Sequence, residues 1–136
     1  MSDLFGEEHV RRYIETDGEE GYTWREGAPI LLLTMTGRKT GTEYTTPLIF
    51  GEDDSGYVIV ASQGGRPEHP DWYLNLEAHS EVGVQVKADT FRARARTAEG
   101  EERERLWAAM NEIWPHYDEY QTKTTRRIPV VVLERL

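Results

Sequence analysis

The stretch GRKTGTEYTTPL, residues 37–48, sets Arg38, Lys39 and Thr40 between two glycines. Two neighbouring cations, a hydroxyl and the free N–H groups of a turn are the parts of an anion site. Each charge-assisted hydrogen bond there contributes about 1.5–3 kcal/mol. The pattern is not a Walker loop, because no Lys-Ser or Lys-Thr pair follows the second glycine at that motif's spacing. Taken alone it fits equally well a hairpin turn with two solvated cations. A second stretch, ASQGGRPEHPDWYLN at 61–75, runs from small residues into the Gly64–Gly65 pair, where backbone can approach a flat ligand closely. Pro70 is placed as the first residue of a helix carrying Asp71, Trp72 and Tyr73, whose start would offer N–H donors. Here too a plainer reading stays open, with Trp72 in the core and the glycines in a loop. A third stretch, PHYDEY, spaces Tyr117 and Tyr120 three apart, on one face if helical. A phenol there can donate to an oxygen that gains charge, or it can simply pack.

Other chemistries find no support in the residue pattern. The sequence contains no cysteine, so disulfides, thiolate metal sites and thiol catalysis are excluded together. His9, His69, His79 and His116 lack metal-ligand spacing, and no metal is expected. No serine sits in a nucleophile elbow. Arg92, Arg94 and Arg96 alternate along one segment and so share a face, read as a solvated exterior opposite Phe91, Ala93 and Ala95. If the chain is an enzyme, a cofactor carries the chemistry and the protein positions it.

The chain of 136 residues carries a formal net charge of −9. That balance argues against nucleic acid and against an anionic membrane surface. An anionic ligand must therefore be small and held locally. No apolar run is long enough to cross a bilayer, and the start, MSDLFGEEHVRR, lacks a hydrophobic signal region. The expected compartment is the cytoplasm.

These residues need elements to hold them. A single domain over 1–136 is expected, with EEHVRRYIET as an N-terminal helix ended by the glycine-rich DGEEGYTWREGAP. APILLLTMTG reads as a buried strand. TTPLIF and GYVIVAS read as strands separated by the turn GEDDSG, and EVGVQVKA with TFRARARTA as a hairpin through Asp89. ERLWAAMNEIW spaces Leu106, Trp107, Met110, Ile113 and Trp114 helically, with Glu99, Glu101 and Glu102 near the start, where acids suit the dipole. Pro115 ends this helix or begins a second, and IPVVVLERL closes the chain as a strand. About six short strands with few helices predict an antiparallel barrel with helical insertions, an α+β but mainly β fold.

Three stretches together, LLLTMTGRKTGTEYTTPLIF, YVIVASQGGRPEHPDWYLNL and IWPHYDEYQTKTTRRIPVVVL, resemble the deazaflavin-dependent nitroreductase family of actinobacteria. Their order and spacing match from about residue 28 to residue 135, whereas 1–27 form a less diagnostic helical extension. The resemblance implies a split β-barrel like that of FMN-binding flavin reductases. It also implies coenzyme F420, a 5-deazaflavin with a phosphate and an oligoglutamate tail. By position, Arg38, Lys39 and Thr40 would grip that tail, and Tyr44, Thr45, Thr46, Pro47, Leu48 and Ile49 would line the next part of the cofactor. Val60, Ala61, Ser62 and Gln63 would run beside the ring. Asp71, Trp72, Tyr73, Leu74 and Asn75 would close around phosphate and ring, and Tyr117 would cover the ring near its reactive carbon. Tyr117, Tyr120 and Ser62 are the candidate catalytic residues, acting on a small hydride acceptor such as a quinone, activated alkene or nitroaromatic. Gln63 stands where lysine or asparagine is frequent, and Tyr44 where arginine is common. The alternatives are an FMN-binding split-barrel reductase, a non-catalytic deazaflavin carrier and a plain interaction domain. The acceptor pocket is expected between the N-terminal segment and the Tyr117–Tyr120 helix, with Trp24 and Tyr22 covering either it or a partner. Oligomeric state is left open.

Overall fold

The computed structural model describes residues 4–136. One antiparallel sheet is built from seven strands: β1 Ile30–Thr36, β2 Glu43–Ile49, β3 Gly51–Asp53, β4 Gly56–Val60, β5 Glu81–Val86, β6 Asp89–Thr97 and β7 Val130–Arg135. Four helices accompany it: α1 Gly6–Glu15, α2 Asp71–Ala78, α3 Gly100–Ile113 and α4 His116–Thr122. The strand order is β2-β1-β5-β6-β7-β4-β3. β2 and β3 therefore lie at opposite edges of the sheet, yet Phe50 alone separates them in the chain. The sheet must curl until its two edges meet, and the result is a half-barrel with an unbonded seam between β2 and the β4 side.

Side-chain alternation along the strands sorts residues onto the two faces of this curl. Leu31, Leu33 and Met35 of β1 point inward with Val82, Val84, Ala93, Ala95, Val131 and Leu133, and all are buried. Tyr73 and Leu76 of α2 join that interior. The outer face is covered in two places. α3 and α4 bury Val58, Val60, Val130 and Val132 under Leu106, Met110, Trp114 and Tyr117. Tyr13 of α1 packs on Ile30 and Leu32. β4 and β7 thus have both faces buried, which explains why VIV and VVVL read as unbroken apolar runs. Arg96 lies on the outer face, where Glu102 binds it at 2.6 and 2.8 Å and Glu134 at 3.2 Å.

Several expectations shift by a few residues. GEDDSG is not all turn, since Gly51–Asp53 forms β3 and only Asp54 and Ser55 connect it to β4. The count is accordingly seven strands, not six. The β5–β6 hairpin turns at Lys87 and Ala88, because Asp89 already pairs with Val86. Pro70 is extended and caps α2 from outside, so the helix starts at Asp71.

Gly56, which opens β4, has a φ of 146°, and a Cβ built there would lie 2.2 Å from the Leu133 carbonyl oxygen of β7. Gly27 also has a positive φ, 77°, but nothing within 4 Å. Backbone strain of this kind costs about 1–3 kcal/mol. Gly27→Ala should therefore fall near the low end of that range, whereas Gly56→Ala adds a clash and should lose more than about 3 kcal/mol. Urea unfolding of the two variants tests the difference.

Candidate active site

Two cavities lie along the seam. The first, of about 400 Å³, is walled on one side by Thr46, Pro47, Leu48 and Ile49 of β2 and on another by Val60, Ser62, Gln63 and Gly64 beyond β4. Trp114, Tyr117 and Tyr120 close it from the α3–α4 corner, and Leu4, Phe5, Gly6, His9, Trp24 and Ile30 from the N-terminal side. β2 is an edge strand, which is why it accommodates Pro47. The second cavity, of about 560 Å³, is lined by Met35, Gly37, Arg38, Lys39, Thr40, Tyr44, Pro70, Asp71 and Asn75. Thr46, Gln63 and Trp72 line both, so the two cavities meet at these three residues.

The basic turn is docked on α2. Asn75, itself buried, accepts through Oδ1 from the Arg38 backbone N–H at 3.0 Å and from Arg38 Nη1 at 2.9 Å. Asp71 takes a longer ion pair from Arg38 Nη2 at 3.3 Å. Lys39 is exposed and makes no ion pair or hydrogen bond among the described residues. Thr40 Oγ1 caps the turn by accepting from the Thr42 N–H at 3.2 Å, and the Tyr44 ring packs against Gly37. The two cations therefore differ: one is held in place, the other stands free at the cavity wall.

The loop after β4 is held just as deliberately. Gln63, Gly64 and Gly65 all take positive φ, at 47°, 65° and 84°. For Gln63 this left-handed conformation is a stored strain. Gln63 Nε2 donates to the Glu68 carbonyl at 3.2 Å. Gly65 packs against the α4 backbone, where a Cβ would come within 2.5 Å of the Tyr120 carbonyl oxygen. Arg126 ties the loop down. Its guanidinium donates to the carbonyls of Ala61 at 3.2 Å, Ser62 at 2.7 Å and Arg66 at 2.9 Å, and to His69 Nδ1 at 3.1 Å.

Aromatic rings fill the opposite wall. Trp24 and Trp114 stack with centroids 5.7 Å apart, and Phe5 meets Trp24 edge-on at 6.2 Å. Trp24 Nε1 donates to the Leu4 carbonyl at 3.0 Å. His116 reaches Glu26 at 2.8 Å, and that carboxylate raises the imidazole's pKa. Tyr117 is 4% exposed, and burial pushes its phenol well above the usual range. Its hydroxyl makes no hydrogen bond among the described residues. Because among the described residues no side-chain oxygen that is shut away from solvent lacks a partner, this hydroxyl is not sealed from solvent, and Tyr117 lines the first cavity. Tyr120 lies beside it with its ring 6.2 Å away, and its hydroxyl accepts from Trp114 Nε1 at 3.4 Å.

Most of the residues singled out from sequence converge on these cavities: Arg38, Lys39, Thr40, Tyr44, Thr46, Pro47, Leu48, Ile49, Val60, Ser62, Gln63, Asp71, Trp72, Asn75, Tyr117 and Tyr120. Four do not line them. Thr45 points to the other face of β2 and meets Thr34 Oγ1 at 2.8 Å. Ala61 is fully buried in the barrel interior, and Tyr73 is buried with its hydroxyl on Thr97 Oγ1 at 2.8 Å. Leu74 reaches neither cavity. Tyr22 packs against Phe50 in the interior, whereas Trp24 lines the first cavity. His9, Ile30, Trp114 and Arg126 had no site role in the sequence reading. Trp114 and Arg126 both lie within the third diagnostic stretch, but nothing in it marks either one.

A curled sheet with an aromatic-walled slot at its seam and a basic annex beside it is a split-barrel architecture. Sequence comparison agrees and is more specific: the model of the F420H(2)-dependent quinone reductase family matches residues 5–135, and the chain belongs to that family. It is 40% identical over 130 residues to an F420H(2)-dependent quinone reductase of Mycobacterium tuberculosis, covering 93% of this chain and 87% of the relative. A second, putative F420H(2)-dependent quinone reductase of the same organism is 35% identical over 113 residues, covering 83% and 95%. Among solved structures, an F420-H2 dependent reductase superposes with a TM-score of 0.72 at 47% identity, covering 78% of this chain and 94% of that one. A heme storage protein of Vibrio cholerae, at 17% identity with 93% and 89% covered and a TM-score of 0.63, shares the fold alone. Among the described residues no helix is long and apolar enough to cross a membrane.

Arg126→Met removes the four guanidinium hydrogen bonds that tie the loop after β4 to the rest of the fold. Hydrogen exchange should then speed up by roughly tenfold or more at residues 61–66, as local opening becomes easier, while β5 and β6 keep their protection. Mass-spectrometric exchange on the intact protein reads both regions at once.

Proposed function

We propose that this protein is an F420H(2)-dependent oxidoreductase that passes a hydride to a quinone-type acceptor. The observation that carries the reading is the junction of the two cavities at Thr46, Gln63 and Trp72. The first cavity has the aromatic lining suited to a ring system and a second flat molecule, and the second has the cations suited to a phosphate and carboxylate tail. Family membership supports the same cofactor. FMN, with one phosphate and no oligoglutamate tail, would leave much of the second cavity unused.

In this reading Lys39 binds tail anions from a free position, and Arg38 does so while anchored to Asn75. Competition between the tail and Asp71 for Arg38 is expected, because both are anions at one guanidinium. The unpaired edge of β2 would offer backbone groups to a bound ring, and Trp72 lines the point where the two cavities meet. A bound reduced 5-deazaflavin supplies a hydride from C5 and reacts poorly with oxygen, so the acceptor must take two electrons together. An acceptor in the first cavity would be held against the wall formed by Phe5, Trp24, Trp114, Tyr117 and Tyr120. These rings exclude water and hold a flat molecule. Burial keeps the Tyr117 phenol protonated across the neutral range, so its role is to donate a hydrogen bond to the acceptor oxygen that gains charge. Ser62 and Tyr120 supply further hydroxyls at the same cavity.

Steady-state oxidation of F420H(2) by a 1,4-naphthoquinone tests the reading. Turnover that requires both partners, and that NADH with FMN does not reproduce, is the expected result. Tyr117→Phe should lower turnover roughly ten- to a hundredfold, the value of a hydrogen bond to a developing charge. Cofactor affinity should change little. Undiminished turnover in Tyr117→Phe would remove that hydroxyl from the mechanism.

A further inference from the structure

Reduction of a quinone to a hydroquinone needs a proton as well as a hydride, and the residues placed so far do not readily supply it. Tyr117 and Tyr120 are phenols, and burial makes Tyr117 in particular a reluctant acid. Among the described residues lining the first cavity, the remaining titratable side chain is His9. Imidazole is the side-chain type that ordinarily titrates near neutrality.

The geometry of His9 fixes which nitrogen can act. Its ring is 2% exposed, and Nε2 lies 2.8 Å from the Gly21 carbonyl oxygen. A carbonyl only accepts, so Nε2 carries a proton whether the ring is neutral or charged. Nδ1 is then the position that gains and loses a proton. Among the described residues Nδ1 has no partner and no side-chain nitrogen sealed from solvent lacks one, so Nδ1 is not sealed from solvent. His9 lines the first cavity. Charged neighbours on the adjoining elements are already engaged. Glu8 and Glu20 both pair with Arg12, each at 3.0 Å, and Arg25 lies over the Phe5 and Trp24 rings. Tyr13 is occupied by the Ile30 carbonyl at 2.9 Å and the Lys87 N–H at 2.7 Å. Tyr22 packs against Phe50, beneath the Lys87 ammonium.

We propose that His9 is the catalytic proton donor to the acceptor, a role that rests on the oxidoreductase reading above. The hydride brings two electrons to the quinone. The oxyanion that results takes the proton from Nδ1, the N–H bond breaking as the O–H bond forms, and hydroquinone leaves. His9 is left neutral with its proton on Nε2, still bonded to Gly21, and solvent restores the Nδ1 proton before the next cycle. Tyr117 holds the acceptor oxygen and keeps its own proton throughout.

The first test needs no turnover. Nitrogen-15 spectra of the cofactor-free protein should show neutral His9 protonated on Nε2, and the tautomer protonated on Nδ1 would overturn the assignment. The second is the pH profile of quinone-dependent kcat/KM. In the wild type it should show a limb that falls with rising pH. His9→Gln keeps an amide N–H for the Gly21 carbonyl and cannot titrate. It should lose roughly a hundredfold in kcat/KM, within the range of general acid catalysis, and lose that limb of the profile, with F420 affinity unchanged. A full rate and an intact limb in His9→Gln would overturn the role of His9 alone. Absence of turnover in the wild type would overturn the enzymatic reading itself.

Discussion

Phe50 joins the two outermost strands of a seven-stranded sheet, and the rest of the architecture follows from that one-residue connection. A flat or gently twisted sheet would hold β2 and β3 apart by the width of the intervening strands. One residue spans only about 3.3–3.6 Å when extended, so the sheet has to curl. The Phe50 ring fixes the closure from within, edge-on to Tyr22 at 6.1 Å and to Tyr57 at 5.5 Å, while its N–H donates to the Pro29 carbonyl at 3.1 Å. Closure is covalent at this point but not hydrogen-bonded along the strands. The seam that remains has backbone on one side that no neighbour has claimed. A water-filled or ligand-filled slot is a natural use of such an edge, since an unpaired strand is otherwise a liability.

Electrostatics then decides what enters. The protein as a whole is acidic, with a formal net charge of −9. An anion is repelled at long range and is held only where local cations and directed N–H groups outweigh that field. In the reading proposed above the β1–β2 turn is such a place, because Asn75 Oδ1 gathers both the backbone and the guanidinium of Arg38. A single buried amide oxygen thus positions a surface cation without neutralising it. Arg126 uses the same economy in reverse, one guanidinium holding three carbonyls of the loop that borders the ring slot.

The periodicity of the sequence carried the strands and helices well, because both strand faces and helix stripes leave clear apolar patterns. It did not separate β3 from the GEDDSG turn, since a three-residue strand leaves almost no alternation to read. It also could not show that β2 and β3 sit at opposite edges, a property of topology and not of composition. Among site residues, Arg38, Lys39 and Thr40 were legible from their types, and the cavity lining of 46–49 and of Tyr117 from a family likeness. Trp114 read as an ordinary apolar position on a helical face, and nothing in its neighbours marked it as the partner of Trp24. Arg126 escaped notice because its partners are backbone carbonyls, which have no sequence signature. His9 carries no signal in its spacing, because its position depends on Gly21 and on a cavity assembled from residues far apart in the chain. Thr45, Ala61, Tyr73 and Leu74 were grouped with the site by contiguity, and strand and helix alternation sends their side chains elsewhere.

The most direct measurement is a pair of fluorescence titrations, with coenzyme F420 and with its deazaflavin core lacking the phosphate and oligoglutamate tail. Both are run on the wild type and on a double variant, Arg38→Gln with Lys39→Gln, at low and at high salt. If the second cavity holds the tail, the variant loses affinity for the full cofactor by roughly tenfold or more, high salt mimics that loss, and the core binds both proteins equally. Equal loss for core and full cofactor, or no loss for either, would contradict the division of the seam into a ring slot and a tail clamp.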